Sequence, residues 1–204
     1  IHDTLAEFMN RPTSIEDLKQ LFYQKIQKTT LSTADRLFYN STFEHHIAPF
    51  IIENYQKCQT YTEITGQTTI PVHNHSFTIT ARVDRIDIQN NQATIIDYKT
   101  GTTPTFNQVV KGYCPQLSLE AWLILCGGFK EIHPSGVCDL SYWHLGRSCK
   151  ISNFSDSKHD ITLEQLIQQT ETGLKQLLEL FDNDTTPYEV CPIAQLAPTY
   201  NDYE

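Results

Sequence analysis

The stretch ARVDRIDI (residues 81–88), followed by QNNQ (89–92) and ATIIDYKTG (93–101), decides how this chain is read. Two runs rich in Ile, Val and Thr flank a short polar segment, which is a β-hairpin signal. A turn centred on Asn90 and Asn91 places Asp84 directly across from Asp97. A loop of two residues or of four gives the same register, whereas an odd loop shifts it by one. Like charges facing each other on neighbouring strands are destabilising, and a divalent cation with oxygen ligands removes the conflict. Lys99 stands two residues beyond Asp97 and so shares its strand face. Two carboxylates and an ammonium therefore converge, a set suited to phosphodiester hydrolysis. A metal neutralises the phosphate and acidifies a bound water; a lysine orients or deprotonates that water and steadies the developing charge. Ahead of Asp84 the apolar residues Phe77, Ile79, Ala81 and Val83 occupy odd positions, whereas Ile86 and Ile88 occupy even ones. That switch predicts a bulge or a sharp twist near Asp84.

Outward from the hairpin, the N-terminal third reads as helical. Thr13 and Glu16 have capping-box spacing ahead of Ile15, Leu18, Leu21, Phe22 and Ile26. A second helical stretch follows Thr33, with Leu37, Phe38, Phe43, Ile47, Phe50 and Ile51 as its apolar positions, and Pro49 is expected to kink or divide it. Strand composition covers Thr68 to Ile88 and Ala93 to Thr100. Thr105 to Gly127 returns to helix, and Pro115 opens an apolar segment containing Trp122 and Cys126, both expected in the core. Val137 to Leu145 reads as a strand. A last long helix follows Thr162, with Gln165 completing its capping box. The pattern specifies one α/β domain, a mixed central sheet flanked by helices, with a helical region over about residues 1–60 and a catalytic core over about 65–204.

The 204 residues suffice for one domain with a substantial core. Hydrophobic content of 39% and charged content of 19% describe an ordinary globular chain. No apolar run approaches the ~20 residues that span a bilayer, and no signal peptide opens the sequence. The six cysteines (Cys58, Cys114, Cys126, Cys138, Cys149 and Cys191) contain no C-x-x-C and demand no disulfide framework. A reducing cytoplasm, without a membrane partner, is the expected setting. The chain opens at Ile1 without an initiator Met and stops at Glu204 without a tail, which reads as a piece of something longer. Its formal net charge is −9, from 15 basic and 24 acidic residues. Nucleic-acid affinity comes largely from Lys and Arg neutralising phosphates, so tight binding by this chain alone is not expected. Either a larger protein holds the nucleic acid or a small local patch suffices. Arg82, Arg85, Lys111 and Lys130 could reach phosphates, but solvated surface is the better reading of each. His45-His46 and the pair His73 and His75 lack an acidic partner pattern and read as surface residues.

VDRID (83–87) and IIDYKTG (95–101) resemble the RecB-family branch of the PD-(D/E)xK nucleases. His2 opens a helix as that family's N-terminal metal-binding histidine does. GYCPQLSLEA (112–121), GGF (127–129) and APTYNDY (197–203) are similar to the C-terminal nuclease domains of AddB subunits of AddAB helicase–nucleases, alphaproteobacterial type. The resemblance implies a restriction-endonuclease-like fold and metal-dependent exonucleolytic cleavage of DNA in double-strand break resection and recombinational repair. It implies His2, Asp84, Asp97 and the Tyr98 carbonyl as ligands of Mg²⁺ or Mn²⁺. Lys99 would position the attacking water, and Gln116 would contact Lys99 or the scissile phosphate. DNA and an AddA-type helicase–nuclease subunit are the implied partners.

Three departures accompany the likeness. The glycine that precedes the family's histidine would lie before Ile1, leaving His2 at an end where fraying is expected. The family's Gln-x-x-x-Tyr is here Gln116-x-x-x-Glu120. Many AddB proteins hold an iron–sulfur cluster through several cysteines, but Cys191 stands alone, so no cluster is expected. Two rival readings stay open. One is a nuclease-like module without catalysis, structural or DNA-guiding, which the acidic charge and Glu120 favour. The other is a stand-alone RecB-like or Cas4-like exonuclease, which the abrupt ends and the missing cysteine cluster disfavour.

Overall fold

Asn90 and Asn91 both adopt left-handed backbone conformations, with φ of 51° and 62°. Two consecutive residues at positive φ make a type I′ turn, whose twist matches that of the strands it joins. The computed structural model describes residues 1–187 apart from 74, 159 and 184. In it, β2 (His75–Gln89) pairs antiparallel with β3 (Gln92–Lys99), with Gln89 opposite Gln92 and Arg85 opposite Ile96. That is the register read from the sequence. β1 (Gln59–Val72) lies antiparallel to β2, β4 (Gly136–His144) runs parallel to β3, and β5 (Lys150–Asn153) is antiparallel to β4. The sheet is mixed, in the order β1-β2-β3-β4-β5. Parallel neighbours need a crossover, which α5 (Phe106–Val110) and α6 (Gln116–Leu125) supply. The β-rich run that began at Thr68 divides between Val72 and His75, and its first half reaches back to Gln59.

Neighbouring residues of β3 enter different cores, because side chains alternate across a sheet. Ile95 packs with Ile86, Leu117, Leu123, Leu140 and Leu166, on the face covered by α6 and α7 (Leu163–Phe181). Ile96 and Tyr98 pack with Phe22, Phe43, Ile51 and Trp143, on the face covered by the N-terminal helices. Burial of both faces accounts for the unbroken apolar run before Asp97. The N-terminal layer comprises α1 (His2–Asn10), α2 (Ile15–Gln27), α3 (Thr33–Thr42), a π turn (Phe43–Ile47) and α4 (Ala48–Glu53). The capping box of α2 is Ser14 with Asp17, one residue later than the Thr13 and Glu16 spacing predicted. Pro49 has no N–H to give the preceding turn. The π turn just ahead of it, where the Ala48 N–H reaches back to the Phe43 carbonyl, divides the helical stretch. The Thr162 and Gln165 capping box of α7 forms as read.

The predicted distortion near Asp84 is a twist without an inserted residue. The β1–β2 register is the same on either side of Glu63 and Asp84, yet that pair drops out of the ladder. Glu63 takes a φ of 52°. Ile64 and Val83 on one side, and Tyr61 and Ile86 on the other, all feed the same core despite their opposite parity.

Further expectations are corrected. Cys126 is exposed, because α6 ends at Leu125 and the thiol lies beyond its buried face. Arg85 is 1% exposed, because the N-terminal helices cover a sheet face that the sequence alone left open. Its guanidinium donates to both Asp87 oxygens, at 2.8 and 2.6 Å, and lies 5.1 Å from the centre of the Trp143 ring. Arg82, Lys111 and Lys130 are exposed. His73 and His75 do have an acidic neighbour, Asp182. Cys191 and the APTYNDY segment lie outside the described residues. Among the described residues no helix is long and apolar enough to cross a membrane.

Because the turn sets the register, a β-branched residue at positive φ should strain it. Asn91→Val is expected to cost about 1–2 kcal/mol, measured by urea denaturation; unchanged stability would contradict the turn assignment.

Candidate active site

In an antiparallel ladder, alternate residues direct both backbone groups toward the same neighbour. The pairing of Gln92 with Gln89 and of Ile96 with Arg85 makes the even-numbered residues of β3 face β2. The odd-numbered ones face β4, as shown by the Lys99 carbonyl accepting from the Leu145 N–H at 2.7 Å. The β2–β3 ladder stops at Arg85 and Ile96. Tyr98 therefore arrives with a free N–H and a free carbonyl where Val83 would have met them. The Asp84 side chain accepts from the Tyr98 N–H at 2.9 Å, and the His2 ring Nε2 lies 3.1 Å from the Tyr98 carbonyl oxygen. The other ring nitrogen of His2 is 3.6 Å from Asp84 Oδ1. His2, the first residue of α1, thus lies between the Tyr98 carbonyl and Asp84.

Asp97 and Lys99 share the parity of Ile95 and so face α6. There Gln116, at the first turn of that helix, meets them. Lys99 Nζ donates to Asp97 Oδ1 at 3.0 Å and to Gln116 Oε1 at 3.2 Å. The Gln116 amide nitrogen donates to Asp97 Oδ1 at 2.6 Å and to Glu120 Oε1 at 3.1 Å. Asp97 Oδ2 lies 2.8 Å from Lys99 Nζ, within ion-pair range, but it is buried and outside hydrogen-bonding geometry. Burial pushes the Asp97 carboxyl above its ordinary value; Lys99 opposes the rise, the charge of Asp84 adds to it, and Gln116 opposes it. Burial likewise pushes Glu120 up to about 8, against the Gln116 hydrogen bond and with Asp97 and Asp84 reinforcing the rise.

The structure therefore brings all the residues singled out from the sequence to the end of β3, in two groups. His2, Asp84 and the Tyr98 carbonyl form one; Asp97, Lys99 and Gln116 form the other. Asp84 and Asp97 are not a ladder pair, since the ladder ends one step before them, but each lies within the other's field. Sequence reading missed Glu63. Among the described residues, His2, Glu63 and Asp84 offer ligand atoms all within 4.8 Å of one another. The left-handed turn of the backbone at Glu63 and its ion pair with Arg82, at 2.7 Å, place it there. No local sequence pattern signals such a conformation at a glutamate.

A mixed sheet flanked by helices, with an N-terminal helical layer, is the architecture of a restriction-endonuclease-like fold. The chain belongs to the PD-(D/E)XK nuclease superfamily, whose profile matches residues 1–195. It is 36% identical over 132 residues to an uncharacterized protein of Rickettsia bellii (strain RML369-C), covering 61% of this chain and 15% of that protein. It is 38% identical over 113 residues to uncharacterized protein RC0550 of Rickettsia conorii (strain ATCC VR-613 / Malish 7), covering 51% of this chain and 13% of that protein. Each match thus takes in only a small part, 15% or 13%, of the relative's length. The crystal structure of SSO0001 superposes with a TM-score of 0.35 at 13% identity, over 86% of this chain and 71% of that chain.

Glu120 gives a pH-dependent signature in metal-free protein. Its side chain releases its proton near 4.5 when unfolded and at about 8 when folded. Between those values the folded chain retains a proton that the unfolded chain has lost, so stability falls as pH rises. The Tm advantage of Glu120→Gln over wild type should grow from about pH 5 to about pH 8 and then level off. A difference that is the same at both ends would contradict the assignment.

Proposed function

We propose that this chain is the nuclease domain of an AddAB-type helicase–nuclease. It cuts DNA exonucleolytically by divalent-metal-dependent phosphodiester hydrolysis during the resection of double-strand breaks. The observation that carries this reading is the Lys99 ammonium held between Asp97 and Gln116, beside the His2, Asp84 and Tyr98 group. The donors in that group are an imidazole nitrogen, carboxylate oxygens and a backbone carbonyl. Such a set fits Mg²⁺ or Mn²⁺ rather than a thiolate-seeking metal. The buried Asp97 Oδ2 makes no hydrogen bond and lies 2.8 Å from the Lys99 ammonium, an anionic oxygen that a metal ion could share with it. When bound, the ion neutralises charge on the phosphate and lowers the pKa of a water.

The residues of the chain then have separable tasks. His2 and Asp84, with the Tyr98 carbonyl and with Asp97, would hold the ion. The Lys99 ammonium orients the attacking water and offsets charge that develops on the phosphate oxygens. Gln116, bonded to Lys99 and to Asp97, keeps the ammonium aimed. Two facts support a place within a larger machine: the chain corresponds to a small part of its long relatives, and its net charge of −9 is ill suited to holding DNA unaided. An AddA-type subunit, in the cytoplasm, would feed it the strand.

In the full-length protein with its helicase partner, Asp97→Ala and Lys99→Ala should each lower Mg²⁺-dependent cleavage of linear DNA by ~100-fold or more. Normal cleavage by either variant would overturn the mechanism. Calorimetric titration with Mn²⁺ should show binding that Asp84→Ala abolishes, and binding that survives the substitution would remove Asp84 from the ligand set.

A further inference from the structure

The Gln116 amide has three strong hydrogen-bonding groups to place, two N–H donors and an oxygen. Its oxygen accepts from Lys99 Nζ at 3.2 Å, and its nitrogen donates to Asp97 Oδ1 at 2.6 Å. The remaining hydrogen goes to Glu120 Oε1 at 3.1 Å. Glu120 stands one helical turn beyond Gln116 on α6, on the same side of the helix. It is 3% exposed, and its second oxygen, Oε2, is buried without a hydrogen-bond partner. Leaving a carboxyl half-satisfied in a helix face that otherwise carries Leu117, Ala121 and Ile124 costs stability. A methionine or leucine there would pack without that cost, so packing does not account for an acid at this position.

We propose that Glu120 is a positioning residue of the nuclease reaction: it clamps the Gln116 amide so that the amide oxygen faces Lys99 and the ammonium stays against Asp97. The proposal rests on the nuclease reading above. Without Glu120 the amide keeps its contacts to Asp97 and Lys99, but its second N–H is left in a buried place with no acceptor. An acceptor one turn away satisfies it. The flipped amide is disfavoured in turn, because it would aim its N–H groups at the donor Lys99 and its oxygen at the acceptor Asp97. The departure from the family's Gln-x-x-x-Tyr is thereby a different clamp rather than a lost position.

The test compares full-length wild type with Glu120→Met, which keeps the volume but offers no oxygen, and Glu120→Gln, which keeps an acceptor. Glu120→Met should lower kcat about tenfold. Its KM for linear DNA and its Mn²⁺ affinity should stay within about twofold of wild type, because ground-state binding is untouched. Glu120→Gln should recover most of the lost kcat. In metal-free protein, the Gln116 side-chain amide resonances should move upfield and exchange faster with water in Glu120→Met, but not in Glu120→Gln. The proposal is overturned if Glu120→Met turns over at the wild-type kcat, if its defect lies in KM or metal affinity, or if Glu120→Gln recovers nothing. Absence of metal-dependent cleavage by wild type would sink the nuclease reading, while the amide resonances would still report whether the clamp exists. If Glu120→Met does not fold, a nuclear Overhauser contact in wild type between the Gln116 amide and the Glu120 side chain decides the matter, and its absence overturns the clamp.

Discussion

One hydrogen bond terminates the central hairpin and, in doing so, builds the site. The Tyr98 N–H, which a longer ladder would have paired with the Val83 carbonyl, is taken by the Asp84 carboxylate. Left without a partner, that buried donor would cost about 1–3 kcal/mol, so the ladder can end here only because an acceptor side chain stands in for a strand. The same break frees the Tyr98 carbonyl for His2. A carboxylate, a carbonyl and an imidazole come together because β2 twists away from β3 at this step, and the twist is visible in the left-handed backbone of Glu63 on the outer strand.

Strand alternation then divides the chemistry between the two faces of the sheet. Tyr98 points its ring into the N-terminal helical layer, where it contacts Trp143. Asp97 and Lys99 point to the opposite face, where α6 supplies Gln116 and Glu120. The N-terminal helices are consequently part of the site rather than an annex, since α1 carries His2 to the end of the hairpin. Because both layers rest on apolar side chains of β3 and β4, the relative placement of the two groups is set by two packed cores.

Much of this was legible beforehand, for identifiable reasons. The Asn90 and Asn91 turn and the alternating apolar residues around it fixed register, and register brought Asp84, Asp97 and Lys99 to one end of the sheet. The change of apolar parity between Val83 and Ile86 announced the twist. What escaped was long-range or conformational. Glu63 matters through a positive φ on a strand whose beginning the composition did not mark. Arg85 has the local pattern of a surface residue because nothing local tells that a sheet face will be covered; its place is set by helices that come much earlier in the chain, and by Asp87 and Trp143. Cys126 erred in the opposite direction, since an apolar run continued past the residue where the helix ends. Glu120 read as a loss because a carboxylate does not substitute chemically for a tyrosine, yet its spacing from Gln116 already placed both on one side of α6.

Locating the ion tests most directly whether the end of this hairpin gathers ligands for a divalent cation. Crystals of the chain soaked in Mn²⁺ and measured for anomalous scattering should show one strong peak within bonding distance of a His2 ring nitrogen, an Asp84 oxygen and the Tyr98 carbonyl oxygen. A structure with no peak there, or with manganese held instead by Asp182 and the exposed His73 and His75, would contradict that assignment.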